Sequence, residues 1–156
     1  MDIKELKPTS IWHYFDAITG VPRPSKKEER IREFLLNFAK EQNLEVKVDK
    51  TGNVVITKEA TPGCEGAPTV ILQAHMDMVC EKNGDVKHDF ERDPIETYID
   101  GEWVKARGTT LGADNGIGMA AAMAVLADKE LKHGRIQALF TLSLIHISEP
   151  TRLRCI

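Results

Sequence analysis

Apolar residues spaced three and four positions apart predict two amphipathic helices near the start of the chain. The first covers residues 10–19, with Ser10 suited to the N-cap and Gly20 to the position after the last turn. The second begins after Ser25-Lys26-Lys27-Glu28, which has the S-x-x-E spacing of a capping box. Residues 21–24 contain two prolines and cannot continue a helix. The chain therefore opens with two helices joined by a stiff connection.

From about residue 44 the pattern changes to an alternation of apolar and polar positions, which indicates strands. Residues 44–48 and 54–56 form the first predicted pair, because turn-forming residues separate them. Residues 69–74 form a short continuous apolar run, which is typical of a central strand buried on both faces. Residues 136–140 are predicted to form another buried strand.

A third helix is predicted over residues 119–127, which are apolar nearly all round and therefore suit a buried helix. Residues 98–104 are predicted to form a hairpin with Asp100-Gly101 as its two-residue turn. Strands that alternate with helices indicate an α/β fold with helices on both faces of the sheet. The chain shows no internal repeat, and its 156 residues suit one domain.

The composition is that of an ordinary globular protein, with 42% hydrophobic and 29% charged residues. A net charge of −3 gives no basic excess, so we expect neither nucleic acid nor a membrane surface as a partner. The longest apolar stretch is too short to cross a bilayer, and we expect no signal peptide. Cys64, Cys80 and Cys155 form no pairing pattern, so we expect reduced thiols and a cytoplasmic location.

The apolar run 69–74 ends in His75-Met76-Asp77, at the place where open α/β sheets collect ligands. A neutral imidazole suits zinc, and a nearby carboxylate can hold the other ring nitrogen of the histidine. A histidine at the end of a strand is also often only hydrogen-bonded. The spacing alone therefore leaves a metal site and a structural hydrogen bond as alternatives.

A second candidate is Asp114, which lies in the segment Gly112-Ala113-Asp114-Asn115-Gly116-Ile117-Gly118. The glycines allow the backbone to fold closely around the carboxylate and let another group approach. Two alternatives compete with a chemical role, namely an ordinary N-cap of the following helix and a phosphate-binding loop. The G-x-x-x-G-x-G spacing matches neither common nucleotide-binding pattern, which argues against the second.

Several segments together resemble one protein family. They are Leu72-Gln73-Ala74-His75-Met76-Asp77-Met78-Val79, His88-Asp89-Phe90, Asp93-Pro94-Ile95 and the long segment 101–120. These segments are similar to the aminoacyl-histidine dipeptidases, bacterial cytosolic enzymes of the M20 metallopeptidase family. The similarity runs from about residue 10 to residue 141, and the long segment is its most specific part.

The resemblance implies that residues 1–141 are the N-terminal part of a three-layer α/β/α catalytic domain of the zinc-exopeptidase type. It implies hydrolysis of dipeptides, including Xaa-His, by a site that holds two zinc ions. In such a site His75 is a metal ligand, Asp114 bridges the two ions, and Asp77 is the catalytic-site carboxylate that orients His75. The resemblance also implies a cis peptide bond after Asp114.

The resemblance stops after Thr141, where the family continues with a Glu-Glu pair that supplies the general base and a further ligand. Residues 142–152 are instead similar to the translation of a transposase-based sequencing-library adapter. We therefore expect residues 142–156 to be a non-native tail, with a natural divergent C-terminus as the alternative. A chain without the base and the other ligands should be inactive and hold one zinc ion or none. The competing hypothesis is a non-catalytic binding or assembly fragment, and the oligomeric state is left open.

Overall fold

The computed structural model describes residues 2–142, so the predicted tail lies outside the described residues except for Leu142. A short 3₁₀ helix, Ile3–Glu5, comes first. In chain order the other elements are α1 Thr9–Thr19, α2 Glu29–Glu41, β1 Glu45–Val48, β2 Val54–Lys58, β3 Val70–His75, β4 Thr97–Asp100, β5 Trp103–Ala106, α3 Ala113–Ala127 and β6 Ile136–Thr141. None of the helices in this part of the chain is long and apolar enough to span a membrane.

Four strands form one mixed sheet in the order β1-β2-β6-β3. β2 is antiparallel to both β1 and β6, whereas β3 is parallel to β6. β4 and β5 form a separate hairpin in which Asp100 pairs with Trp103. The turn is therefore Gly101-Glu102, one residue later than predicted, and Gly101 has the positive φ of 60° that favours glycine. Every predicted helix and strand is present, which confirms the α/β class.

The buried side chains of the sheet lie on one face. Val54 pairs with Phe140 and Phe140 with Ala74, and all three residues are 1% exposed or less. α2 contacts β1 and β2, α3 contacts β3 and β6, and α1 packs against α3. One hydrophobic core therefore joins this face to the three helices. On the opposite face Val55 and Leu139 are half-buried. Within residues 2–142, the helices therefore cover one face of the sheet.

β3 differs from its prediction as a central strand buried on both faces. Within residues 2–142 it lies at the edge of the sheet, and Val70 and Ile71 at its start are 52% and 63% exposed. The inner position belongs to β6, where Ala138 and Phe140 are fully buried. An apolar run shows that a strand tolerates burial, but the order of strands decides which edges and faces are covered.

The predicted helix caps are wrong. α1 has Pro8 as its N-cap, so Ser10 lies inside the helix, and Gly20 has a right-handed φ of −71°. α2 has no side-chain cap either, so the segment that begins at Ser25 is not a capping box. The Ser25 hydroxyl instead donates to the carboxylate of Asp77. A partner far away in the sequence has replaced the local one.

Candidate metal site

His75 is the last residue of β3, and its ring is held by the carboxylate that follows two positions later. The Nδ1 atom of His75 lies 2.9 Å from Oδ1 of Asp77, as the sequence analysis predicts. Because a carboxylate can only accept, Nδ1 carries the proton and Nε2 is left to bind another group. Asp77 is 4% exposed and its other oxygen accepts the hydroxyl of Ser25. The hydrogen bond to Asp77 thus fixes the tautomer and the orientation of the His75 ring from its buried side.

Asp114 lies at the irregular start of α3. Its φ and ψ are −92° and 105°, and those of Asn115 are −111° and 35°, so regular helix begins only at Gly116. The peptide bond between Asp114 and Asn115 is cis, as the family resemblance implies. α3 has Gly112 at its N-cap position and no side-chain cap, so the alternative of an aspartate N-cap is wrong.

The two candidate donors meet in space. The Nε2 atom of His75 lies 3.0 Å from Oδ1 of Asp114, although 39 positions separate them in the sequence. This confirms the prediction that both lie at one edge of the sheet. The side chain of His75 is 12% exposed and that of Asp114 is 96% exposed. The site therefore has a buried, preorientated imidazole on one side and a carboxylate open to solvent on the other.

This donor pair suits a divalent cation in kind but is incomplete in number. Imidazole nitrogen and carboxylate oxygen are both ligands of zinc in proteins. Among residues 2–142 no group of three or more histidine, cysteine, aspartate or glutamate side chains is placed to hold an ion. Catalytic zinc is usually held by about three protein ligands. His75 and Asp114 therefore fit as part of a metal site.

Comparison with known proteins connects this geometry to a family. No family model matches the chain. Over 142 residues it is 52% identical to the cytosol non-specific dipeptidase of Escherichia coli, an alignment that covers 91% of this chain and 29% of that protein. It matches the crystal structure of aminoacylhistidine dipeptidase from Vibrio alginolyticus with a TM-score of 0.90 and 55% identity, over 92% of this chain and 29% of the other. The chain is homologous to the aminoacyl-histidine dipeptidases.

A more distant structure shares the fold of this dipeptidase homologue. It is a dinuclear metal-binding peptidase of the M20 family from Bacillus subtilis, with a TM-score of 0.50 and 16% identity over 85% of this chain and 34% of the other. This likeness bears on the fold alone, and it agrees with the α/β class of the chain. The chain spans 29% of the length of each of its two dipeptidase relatives, so the match covers part of such a protein.

Sequence reasoning missed two residues that support the candidate site. Arg23 is 1% exposed, and its guanidinium donates to the backbone carbonyls of Met76, Asp77 and Gly112. Ser25 donates to Asp77. The segment Pro22-Arg23-Pro24-Ser25 does carry a signal, because two prolines that fix φ around an arginine and a serine favour a rigid extended segment. The partners of Arg23 carry no such signal in the sequence, since they are backbone carbonyls.

Cys80 follows the site closely in the sequence without joining it. Its sulfur donates to the backbone carbonyl of Met78 at 3.6 Å. Burial raises the pKa of the Cys80 thiol, an effect that the nearby Arg23 guanidinium opposes and that Asp77 adds to. A thiol whose pKa is raised stays protonated at neutral pH and is a poor metal ligand. Cys80 and Cys64 are both free thiols in this structure.

Proposed function

We propose that this chain carries part of the metal site of a dipeptide-hydrolysing peptidase. His75 and Asp114 are the metal ligands, and Asp77 is the catalytic-site carboxylate that orients His75. The observation that carries this proposal is the imidazole placed between two carboxylates, with Nδ1 on the buried Asp77 and Nε2 3.0 Å from the exposed Asp114. Homology to two dipeptidases over nine tenths of the chain supports the same assignment.

Each of the three side chains has a separate task in this proposal. Asp77 accepts a hydrogen bond from the Nδ1–H group of His75, which would keep the Nε2 lone pair directed at the cation. Asp114 supplies negative charge on the open side, and its two carboxylate oxygens allow it to serve two ions. A bound divalent ion would polarise the scissile carbonyl of the peptide and lower the pKa of water. We propose zinc, because imidazole and carboxylate are common zinc ligands, and two ions in the whole protein.

The substrate and the location follow from the relatives and are likewise proposals. The Escherichia coli relative is a cytosol non-specific dipeptidase, and the Vibrio relative an aminoacylhistidine dipeptidase. We propose that the whole protein hydrolyses dipeptides, including Xaa-His, in the cytosol. We propose that the 156-residue chain itself is inactive, because among residues 2–142 only two candidate ligands meet and no group of three donors is placed to hold an ion. Without a positioned general base, a contribution of about 10²- to 10⁴-fold to the rate is lost.

A chimaera gives the sharpest test of the site. Residues 10–141 replace the matching part of the Escherichia coli dipeptidase, and hydrolysis of a Xaa-His dipeptide is measured with excess zinc. We expect a chelator-sensitive activity that His75→Ala or Asp114→Ala reduces to background. His13→Ala is the matched control, because His13 is exposed on α1 and should leave the rate unchanged. A chimaera that keeps its activity after His75→Ala would contradict the assignment.

The division of the chain at residue 141 is a separate proposal. It depends on the similarity of residues 142–152 to an adapter translation. Sequencing the genomic DNA beyond the codon for Thr141 tests it directly. We expect a continuation with an adjacent pair of glutamate codons, whereas the same codons for residues 142–156 in the genome would show a native C-terminus.

A further inference from the structure

We propose that Arg23 is a positioning residue that joins the two segments carrying the metal donors and sets the separation of His75 and Asp114. This inference depends on the proposed function, in which those two residues are metal ligands. One segment is the end of β3 with His75, followed by Asp77, and the other is the irregular start of α3 with Asp114. Arg23 contacts neither donor directly, so it would act through the backbone that carries them.

The hydrogen bonds of Arg23 reach both segments at once. Its Nη1 atom donates to the carbonyl oxygens of Met76 and Asp77, each at 3.2 Å. Its Nη2 atom donates to the carbonyl oxygen of Gly112 at 2.6 Å. Met76 and Asp77 directly follow His75, and Gly112 lies two positions before Asp114. A single planar group therefore fixes both donor-bearing segments in one frame.

The guanidinium is fully enclosed, which makes its bonds costly to break. Arg23 is 1% exposed and has the largest of the fully buried side chains. Burial lowers the pKa of Arg23 to about 10, while the negative charge of Asp77 opposes that shift. The group is therefore charged at neutral pH, and its carbonyl partners replace the water that it has lost. Loss of any one bond would leave a buried donor of a charged group unpaired.

Two glycines leave the space that the guanidinium occupies. A Cβ atom at Gly112 would lie 2.6 Å from Nη2 of Arg23, and one at Gly116 would lie 2.7 Å from the same atom. Gly112 also has a φ of +71°, which an L side chain rarely adopts. The glycines on both sides of Asp114 thus leave room for the guanidinium of Arg23, which is the group whose close approach their spacing allows.

The segment that carries Arg23 is itself aligned with the end of β3. The amide of Met78 donates to the carbonyl of Arg23 at 3.0 Å, and Pro24 bridges to Met78 in parallel. Ser25 donates to Asp77 from the same segment. Because the two flanking prolines fix φ, the arginine enters the site from a backbone with little freedom.

Lysine should not replace arginine in this position. The guanidinium is a rigid planar fork whose separate N–H groups reach three carbonyls, whereas an ammonium is a compact charge on a flexible stem. Arg23→Lys keeps the charge and removes the fork. We expect the chain to stay folded with His75 and Asp114 no longer held at one separation.

The test uses the full 156-residue chain, labelled with ¹⁵N, and zinc ions as the probe. Long-range ¹H–¹⁵N spectra follow the ring nitrogens of His75, first without metal and then during a zinc titration. We expect zinc to shift Nε2 of His75, and we expect Arg23→Lys to weaken this binding about 10- to 100-fold, as for other residues that orient a metal ligand. The metal-free signal of the Nδ1 proton should also move.

Two controls separate positioning from stability. Leu126→Ala removes a core side chain on α3 that is 2% exposed, so it should lower the melting temperature without changing zinc affinity. Gly116→Ala pushes on the guanidinium without altering its donors, and should weaken zinc binding even if Arg23→Lys does not fold. Gly84→Ala is its matched control, because a Cβ atom there meets nothing within 4 Å.

The outcomes distinguish the two proposals. If the unchanged chain, Arg23→Lys and Gly116→Ala bind zinc with equal affinity, as measured from the Nε2 signal of His75, the positioning role is overturned and the metal site stands. If zinc never shifts the Nε2 signal of His75 and the chimaera with the Escherichia coli dipeptidase shows no zinc-dependent activity, the metal proposal fails. The metal-free Nδ1 signal then decides the positioning role, which is overturned if that signal is unaltered in both variants.

Discussion

The two ends of β3 differ in how completely the protein surrounds them. At the carboxyl end Ala74 and Met76 are 1% exposed or less, and Asp77 is 4% exposed. At the amino end Val70 and Ile71 are 52% and 63% exposed. The end that carries the candidate metal donors is thus enclosed by side chains of residues 2–142. The other end presents an uncharged edge, which is the kind of surface that pairs with further strands.

The largest effect should come from removing packing at the carboxyl end. Met76→Ala deletes a side chain with no exposed surface, and such changes cost about 2–5 kcal/mol of unfolding free energy. Ile71→Ala at the exposed end is the matched change and should stay within about 0.5 kcal/mol. Urea denaturation measures both. Equal losses would show that the two ends are packed alike in solution.

Ser25→Ala should have the next largest effect. It removes the hydroxyl that donates to the buried Asp77, and a hydrogen bond to a charged group contributes about 1.5–3 kcal/mol. Ser10→Ala is the control, because Ser10 lies inside α1 and should cost less than about 0.5 kcal/mol. If Ser10→Ala proved the costlier of the two in urea denaturation, Ser10 rather than Ser25 would be the residue with the structural partner.

The exposed end of β3 should promote self-association. Ile71→Lys places a charge on β3, the edge strand of the sheet formed by residues 2–142, where lysine discourages pairing between strands. We expect the aggregated fraction in light scattering to fall, with little change in the free energy of unfolding. Val79→Lys is the matched control, since Val79 is 65% exposed but lies outside the strand. The same decrease in both variants would mean that general charge, and not the edge, controls solubility.

The smallest effect concerns the turn between β1 and β2, away from both ends of β3. Slight burial alone would raise the pKa of Asp49, but hydrogen bonds from Thr51, Asn53 and Gly52 lower it from 3.8 to about 2. A depressed pKa in the folded state means that ionised Asp49 stabilises the fold above about pH 4, and that this stabilisation is lost as the pH falls towards 2. The gain is modest because the group is largely exposed to solvent.

Urea denaturation between pH 5 and pH 2 measures this contribution. We expect Asp49→Asn to lower stability at pH 5 and to reduce the loss on acidification. Asp85→Asn, at an exposed loop position, should leave the pH dependence unchanged. Parallel curves for the chain and Asp49→Asn would refute the role of this carboxylate.

The sequence by itself determined which segments become helices and strands. Periodic apolar positions located α1, α2 and the strands of the sheet, because each element buries one face and its side chains repeat with the period of that element. The sequence also located the candidate site residues His75, Asp77 and Asp114, since polar side chains at a strand end and between glycines form a local pattern. Their proximity was predictable only through the family resemblance and the rule that ligands collect at one sheet edge.

Only the tertiary structure decided which strand is central and what holds the site together. β3 and β6 have similar apolar sequences, and their order in the sheet depends on pairing between distant segments. Ser25 has the local spacing of a helix cap, yet a buried carboxylate 52 positions away binds its hydroxyl instead. The partners of Arg23 are backbone carbonyls 53, 54 and 89 positions away. Because every residue has the same backbone carbonyl, no pattern of side chains could have predicted those hydrogen bonds.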